Sequence, residues 1–179
     1  MASTPITSFI NKFDGGARPN LFEVEIVGHG INAENMKVHC KAAALPASIL
    51  GEIPVNYMGR IIKLPGDRTY EDWTITVLND EGLKMRHFFE DWNRKFNNHV
   101  ANAQAENHMS LIRGQDAIVR QLDRTHTSTR EYKLHNIWCD NVSAVDLSYD
   151  TPDTISEFTV TLKYQYFTVP NGTGGNITT

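Results

Sequence analysis

The densest group of side chains that could do chemistry lies near the middle of the chain, at Asp67, Arg68, Glu71 and Asp72. Two neighbouring carboxylates can act as a general acid and a general base. A turn held by contact between Asp67 and Arg68, or a salt bridge to a neighbouring subunit, uses the same residue types. Structural ion pairs of this kind are much commoner than catalytic pairs. We therefore predict a structural role, with an enzyme on a barrel scaffold as the alternative.

Metal and cofactor chemistry is not supported by the remaining residues. The seven histidines are scattered along the chain, and only His87 and Glu90 stand near each other on a predicted helix. One such pair is a poor metal site and predicts a solvated ion pair. The sequence contains no glycine-rich phosphate loop and no zinc-type pair of cysteines. Cys40 and Cys139 predict buried thiols in a reducing compartment, so we expect no metal and no cofactor.

The net charge and the length of the chain exclude further functions and predict the number of domains. The 179 residues carry a formal net charge of -4, with an isoelectric point of about 5.9. A protein that grips nucleic acid needs a basic surface, so this balance argues against that function. No apolar run is long enough to span a bilayer, and residues 1–10 do not resemble a signal peptide. We predict one domain over residues 1–170, with an N-terminal arm at 1–15 and a flexible tail at 171–179.

One stretch with a strand pattern is the centre of the predicted fold. Trp73, Ile75 and Val77 fall on one face, and Thr74 and Thr76 fall on the other. The second face is small, polar and uncharged, whereas a solvated face usually carries Lys and Glu. The pattern therefore predicts a strand with a large apolar side towards the core and an unusual polar side.

Residues 81–97 predict the one substantial helix, which must lie on a sheet because its apolar stripe is largely aromatic. The stripe consists of Met85, Phe88, Phe89, Trp92 and Phe96, and Val100 continues its spacing.

Alternating patterns predict several further strands. They lie at residues 21–27, 36–40, 117–122, 129–134 and 155–167, and Val145, Leu147 and Tyr149 form another strand face. The first two are expected to form a hairpin. Several short strands with tight turns and one flanking helix predict a mainly β fold, an antiparallel β-sandwich or barrel.

Residues 41–65 do not fit this alternation. Gly51, Pro54 and Gly59 interrupt the segment. A strand is predicted from Arg60 to Leu64, with Ile62 and Leu64 on one side, and Pro65 and Gly66 are expected to end it. The whole segment is too apolar for a solvated loop, and loops of this length in a compact domain are usually functional. Either the segment folds back on its own sheet, or it is a long arm that packs on a neighbouring subunit.

Five stretches, in order, resemble the tail tube proteins of large contractile-tailed bacteriophages. The most characteristic is GDRTYEDWTITVLNDE, from Gly66 to Glu81. The others are ARPNLFEVEI from Ala17, CKAAALPA from Cys40, AIVRQL from Ala117 and FTVTL from Phe158. The resemblance runs from about residue 16 to 166. The chain departs from it in its longer N-terminal arm, in a polar excursion around residues 98–114 that is predicted to lie on the surface, and in its Gly/Thr-rich tail.

The resemblance implies a structural virion protein without catalysis, built into hexameric rings that stack into the inner tube of a contractile tail. Inter-subunit contacts are expected at Leu45, Ile49, Leu50, Ile53, Val55, Tyr57, Met58, Arg68 and Asp72. Small or acidic polar positions are the candidates for the lumen: Glu23, Glu25, Thr74, Thr76, Asp146, Ser148, Thr159 and Thr161. A polar wall with a negative bias would keep passing DNA off the surface.

The implied partners are identical copies, the tail sheath protein, the baseplate hub and the tail terminator, with the tape measure protein and DNA in the lumen. The implied location is the virion tail, assembled in the bacterial cytoplasm, with no membrane partner. A ring at the junction of baseplate and tube, or the tube of a related contractile injection system, is the alternative within assembly.

Overall fold

The computed structural model describes residues 5–13, 16–28, 33–103, 107–150 and 153–170. In chain order the elements are α1 (Pro5–Lys12), β1 (Phe22–Val27), α2 (Ala33–His39), β2 (Cys40–Ala43), β3 (Ser48–Tyr57), β4 (Arg60–Tyr70), β5 (Trp73–Leu78), α3 (Lys84–Phe96), α4 (His108–Ile112), β6 (Asp116–Leu122), β7 (Ser128–His135), β8 (Trp138–Val142), β9 (Glu157–Lys163) and β10 (Tyr166–Thr168).

Two antiparallel four-stranded sheets form a sandwich, as the alternating patterns predict. The first sheet has the order β1-β6-β7-β10, and the second has the order β2-β5-β9-β8. Among the strands of the described residues, β3 and β4 pair only with each other and form a separate two-stranded hairpin. The mainly β fold class is therefore confirmed.

The core lies between the two sheets and is built from the inward residues of each alternating strand. The second sheet contributes Trp73, Ile75 and Val77, all buried, as the sequence predicts. The first sheet contributes Val24 and Ile26 from β1 in the same way. Because one cluster of buried side chains joins both sheets, neither sheet has a core of its own.

The predicted helix is confirmed as α3, which ends at Phe96, before Val100. Phe89 is fully buried and its ring lies 6.1 Å from that of Phe158 on β9. Asn93 donates to the carbonyl oxygens of Cys139 and Asp140 at 3.3 and 3.2 Å. β8 is an edge strand, so α3 satisfies carbonyl groups that would otherwise lie open for pairing.

Several local predictions are wrong. Residues 36–40 belong mostly to α2 and not to a strand paired with β1, because Met36 fits a helical turn and is buried in the core. α4 lies inside the segment predicted to be a polar excursion, and Leu111 anchors it. The described chain therefore has more than one helix. The run predicted over 155–167 is divided into β9 and β10 by Tyr164 and Gln165.

The segment from 145 to 149 is also not a strand. Leu147 and Tyr149 are almost completely exposed, and the residues that the structure describes between β8 and β9 form no strand. Asp146 and Ser148 therefore do not lie on a sheet face.

The predicted long loop at 41–65 is the largest correction. It contains most of β2 and most of the β3–β4 hairpin, and β4 runs without interruption through Pro65 and Gly66. Proline is tolerated here because each strand of a two-stranded hairpin is an edge strand. The predicted arm at 1–15 contains α1, and the predicted tail at 171–179 lies outside the described residues.

Candidate assembly surfaces

The β3–β4 hairpin has one continuous apolar side. Ile53 pairs with Leu64, Val55 pairs with Ile62, and Tyr57 lies on the same side near the tip. We call these five residues the apolar face. Each of their side chains is between 41% and 61% exposed. A hairpin with an uncovered apolar face is not stable in water by itself, so this surface needs a partner.

The other side of the hairpin is more polar. Glu52 and Lys63 form a salt bridge of 2.9 Å on this side, and Asn56 lies on the same side nearer the tip. Leu50 falls on this side by strand alternation, next to a bulge in the pairing. The predicted contact residues Leu50 and Ile53 therefore lie on opposite faces of one hairpin.

The tip of the hairpin is a two-residue turn at Met58 and Gly59. Both residues have positive φ, 46° and 76°, as a type I′ turn requires. Asn or Gly is usual at the first of these positions, because other side chains are strained there. Met58 is 86% exposed, so the chain holds an apolar side chain at the tip in a strained conformation.

The base of the hairpin is fixed to the sandwich. The indole nitrogen of Trp73 donates to the carbonyl oxygen of Ala44 at 2.7 Å. The hydroxyl of Tyr164 donates to the carbonyl oxygen of Ala47 at 3.0 Å. The ring of Tyr70 lies 5.7 Å from those of Tyr164 and Phe167. The hairpin therefore projects from an anchored base, while its outer part stays exposed.

Arg68 and Asp72, the predicted charged contacts, are separated in the structure. Arg68 lies on β4 and donates to the hydroxyl of Ser48 at 3.4 Å. Asp72 lies in the link to β5, 4.0 Å from Lys163. Within the part of the chain that the structure describes, Arg68 has no carboxylate within 4.0 Å. It is therefore an exposed cation on the hairpin without an ionic partner among the described residues.

The outer face of the first sheet carries a network of ion pairs. Arg120 on β6 contacts Glu25 on β1 at 2.7 Å and Glu131 on β7 at 2.8 Å. Glu23 lies 3.9 Å from the same guanidinium. These side chains are only 17–38% exposed, so the pairs are less screened than ordinary surface pairs. Burial alone would lower the pKa of Arg120, but the bonds to Glu25 and Glu131 hold it above its ordinary value.

A second cluster lies further along the same face. Asp116 on β6 contacts Lys133 at 3.0 Å and His135 at 3.6 Å. His135 also stacks on Tyr166 of β10 and shares a hydrogen bond of 2.9 Å with Thr168. Burial would raise the pKa of Asp116, but bonds from Lys133 and the backbone of residue 136 hold it below its usual value. Polar contacts therefore cross this face from β1 to β10.

The outer face of the second sheet is different in chemistry. Thr74 pairs with Thr161 and Thr76 pairs with Thr159, so four threonines form an uncharged patch at its centre. The charged pairs lie around it, such as Lys41 with Glu157.

The candidate lumen residues do not share one surface. Glu23 and Glu25 lie on the outer face of the first sheet, and the four threonines lie on the outer face of the second. These faces point in opposite directions because both sheets turn their apolar sides to the same core. At most one of the two groups can line a bore.

The family model for phage tail tube proteins matches residues 17–170 of the chain. The tail tube protein gp19 of Enterobacteria phage T4 is 41% identical over 162 residues, which cover 87% of this chain and 94% of that protein. The chain belongs to the phage tail tube protein family. Its role is that of a structural subunit of the inner tube and not that of an enzyme.

Solved structures share the fold of this tail tube subunit at low sequence identity. The tube-terminating cap of the anti-feeding prophage has a TM-score of 0.63 and 14% identity, covering 94% of this chain and 100% of that one. A sheath–tube complex of an extracellular contractile injection system has a TM-score of 0.54 and 16% identity, covering 93% and 98%. These similarities show that the sandwich architecture is shared.

The tail tube subunit has no assembled catalytic site in its described part. Asp67 lies on β4 of the exposed hairpin and Asp72 lies in the link to β5, so no pocket encloses these carboxylates. No group of three potential metal ligands occurs among the described residues. The helices described are all too short or too polar to cross a membrane.

Two features of these surfaces were not predicted from the sequence. The ion-pair network around Arg120 was missed because its members come from three strands. The apolar face includes Ile62 and Leu64, which were predicted to lie on a strand but not named as contacts. The alternation of side chains in residues 60–64 shows that these two residues share one side of a strand. It does not show that this strand pairs with β3, and that pairing is what makes them part of the apolar face.

Proposed function

We propose that this subunit forms hexameric rings that stack into a tube, and that the β3–β4 hairpin makes the contact between rings. The observation that carries the proposal is the uncovered apolar face. In an isolated subunit five large apolar side chains on a two-stranded sheet lie in water. Burying a fully exposed side chain of this kind contributes roughly 1.5–3 kcal/mol, and these side chains are about half exposed, so covering each by another copy contributes roughly half of that and favours assembly.

The other predicted contact residues support the same role. Leu45 and Ile49 are half exposed next to the base of the hairpin, and Met58 extends its tip. Arg68 presents a charge without a carboxylate partner in its own described chain, which suits a carboxylate of a neighbouring copy.

The first sheet is the better candidate for the wall of the bore. In the second sheet α3 covers the β8 edge, where Arg86 donates to the carbonyl oxygen of Ser143 at 3.0 Å. In the first sheet, the described backbone bonds of β1 and β10 go only to β6 and β7. α2 packs beside β1, where Lys37 lies 3.8 Å from Glu23. No described backbone group bonds the outer side of β1 or of β10, however, so pairing of these two strands with neighbouring copies would close a ring without an open edge.

A bore lined by the first sheet would have a wall that does not hold DNA. Arg120 and Lys133, the cations at the centre of this face, are each engaged by carboxylates. Basic side chains that are already paired release fewer counterions from a duplex and bind it less strongly. Glu23 and Glu25 thus stay lumen candidates, and the four threonines are assigned to the outside of the tube.

The surrounding partners follow from this arrangement. A sheath protein would cover the outer threonine face, a baseplate hub and a tail terminator would end the tube, and the tape measure protein and then DNA would occupy the bore. The solved relatives with sheath, baseplate and cap assemblies support tube-associated partners for this fold.

Two adjacent hairpin residues give a matched test of the ring contact. Val55→Asp places a charge on the apolar face, and Asn56→Asp places the same charge on the opposite side of the same strand. We expect Val55→Asp to abolish tubes in negative-stain micrographs while the far-UV circular dichroism is unchanged. Asn56→Asp should still form tubes. Long tubes from Val55→Asp, or an equal loss in both variants, would contradict the proposal.

Maleimide labelling tests which sheet lines the bore. Glu23→Cys and Thr74→Cys place one thiol on each outer face, and a maleimide carried on a long polymer enters the bore only slowly. In assembled tubes Thr74→Cys should react and Glu23→Cys should not, whereas both should react after disassembly. The reverse pattern would assign the second sheet to the bore.

A further inference from the structure

The N-terminal helix α1 carries a second uncovered apolar surface. Ile6, Phe9, Ile10 and Phe13 recur at the spacing of one helix face, and their side chains are 55–73% exposed. The rings of Phe9 and Phe13 stack with their centroids 4.9 Å apart. We call these four residues the α1 stripe. A helix of eight residues is marginal by itself in water, so α1 also needs a partner.

The hairpin leaves the sandwich at one end of the strands. β9 ends at Lys163, and after a link of two residues β10 starts at Tyr166, which pairs with His135. Tyr164, in this link, bonds the segment that leads into β3. We call this the hairpin end of the sandwich. The end of β1 at Val27 also lies there, because Val27 pairs with Asp116 of β6 and Asp116 contacts His135.

The α1 helix is attached at the opposite end. β1 starts at Phe22, and the residues before it are held by Gln121, whose amide donates to the carbonyl oxygens of Arg18 and Leu21 at 2.7 and 2.8 Å. Phe13 and Gly16 are three residues apart in sequence, a span of at most about 11 Å. α1 therefore lies near the end of the strands that is remote from the hairpin.

We propose that the α1 stripe of one copy packs on the apolar face of the hairpin of a copy in the next ring. This inference rests on the proposed function and names the surface that the hairpin meets. The two patches differ and lie at opposite ends of one subunit, so the contact is heterologous. A heterologous contact along one axis repeats without closing and builds an open-ended stack.

The α1 stripe and the apolar face are both apolar and have similar lengths. The stripe spans seven residue steps of a helix, about 10 Å, and the apolar face from Ile53 to Tyr57 spans four steps of a strand, about 13 Å. A helix laid on a two-stranded sheet is an arrangement that stabilises such a sheet.

The contact is small, because four side chains bury on the order of 600 Å². An interface of that size does not hold two copies together by itself, whereas several copies around a ring add their contributions. The inference therefore predicts that stacking is cooperative and that free subunits do not form stable pairs.

Disulfide cross-linking tests this contact in assembled tubes. The chain with both Ile10→Cys and Ile62→Cys should give, on oxidation, a ladder of multimers in non-reducing gels. Its matched control replaces Ile10→Cys by Asn11→Cys, on the opposite side of α1, and should give no ladder. Burial raises the pKa of Cys40 to about 11 and that of Cys139 to about 12, which keeps both native thiols protonated, and the Asn11→Cys control carries the same two thiols.

A charge substitution gives the second readout. Ile10→Asp should shorten the tubes at least tenfold or leave single rings, and Asn11→Asp should leave tube length unchanged. Tubes of normal length from Ile10→Asp, or the absence of a ladder in tubes that do form, would overturn the inference and leave the proposed function intact. If the unmodified chain formed no tubes, both would be wrong.

Discussion

The guanidinium of Arg120 lies 2.7 Å from the carboxylate of Glu25 on the neighbouring strand, and the pair is largely shielded from water. Glu131 completes the arrangement from the other side at 2.8 Å. Removing the cation from this position leaves two carboxylates close together without compensation, and this makes Arg120 the residue on which the outer face of the first sheet depends.

Arg120→Met should therefore lower the free energy of unfolding by about 1–2 kcal/mol, because it leaves charged acceptors unpaired. Urea denaturation in the Val55→Asp background measures this on unassembled subunits. Adding Glu25→Gln and Glu131→Gln should recover part of the loss. Lys41→Met, which removes an exposed pair on the second sheet, is the control and should cost less than about 1 kcal/mol. An equal loss of unfolding free energy in Arg120→Met and Lys41→Met would contradict a special contribution of the Arg120 network.

The cluster around His135 predicts how stability depends on pH. Burial lowers the pKa of His135 below 6.5, with Lys133 acting in the same direction and Asp116 opposing. The unfolded chain therefore binds a proton more readily than the folded one, and this contribution to stability decreases as the pH falls through 6.5. The depressed pKa of Asp116 adds a further loss below about pH 4.

The urea midpoint should thus fall between pH 8 and pH 5, and His135→Gln should show a smaller fall. His87→Gln, on an exposed part of α3, serves as the control and should follow the parent protein. A His135→Gln variant with an undiminished fall would show that another group causes the pH dependence.

The turn at Met58 allows stability and assembly to be separated. Met58→Asn relieves the strain of a positive φ and should stabilise the turn by about 0.5–1 kcal/mol. It also removes an exposed apolar side chain from the tip of the hairpin. We expect the critical concentration for tube formation, measured by pelleting, to rise. A lower critical concentration would mean that the side chain of Met58 makes no contact with a neighbour.

The two strands of the hairpin approach closely at Gly66. A Cβ at this position would lie 3.2 Å from a side-chain carbon of Ile53 and 3.3 Å from the backbone of Gly51. Gly66→Val should therefore distort the hairpin and reduce tube yield. The melting temperature of the sandwich should change little, because the hairpin lies outside the core. A large fall in melting temperature, or full assembly, would contradict this separation between hairpin and core.

The sequence predicts the strands and the helix of the sandwich well wherever a single hydrophobic periodicity runs through a whole segment. The alternation of Trp73, Ile75 and Val77 and the spacing of Phe89 and Trp92 correspond to buried faces in the structure. Residues 36–40 show the limit of this reasoning, because apolar residues two apart in so short a segment also fit a helix that buries Met36 and exposes Val38.

The hairpin was missed because proline and glycine were taken as ends of strands. Pro54 and Pro65 are compatible with pairing when a strand has only one neighbour, and that fact depends on topology, which local sequence does not contain. The lumen candidates could not be divided between the two faces of the sandwich for a related reason. Alternation shows that Glu25 and Thr76 both point away from the core, but it does not show that their sheets lie on opposite sides of it.

The central claim is that a single copy is incomplete and becomes stable in its functional form only by contact with identical copies. Sedimentation velocity of the purified chain over a range of concentrations, with negative-stain microscopy of the same samples, tests it most directly. We predict a sharp transition from subunits or rings to long tubes of constant diameter. A single slow species that remains a compact monomer at the highest concentration would contradict the claim.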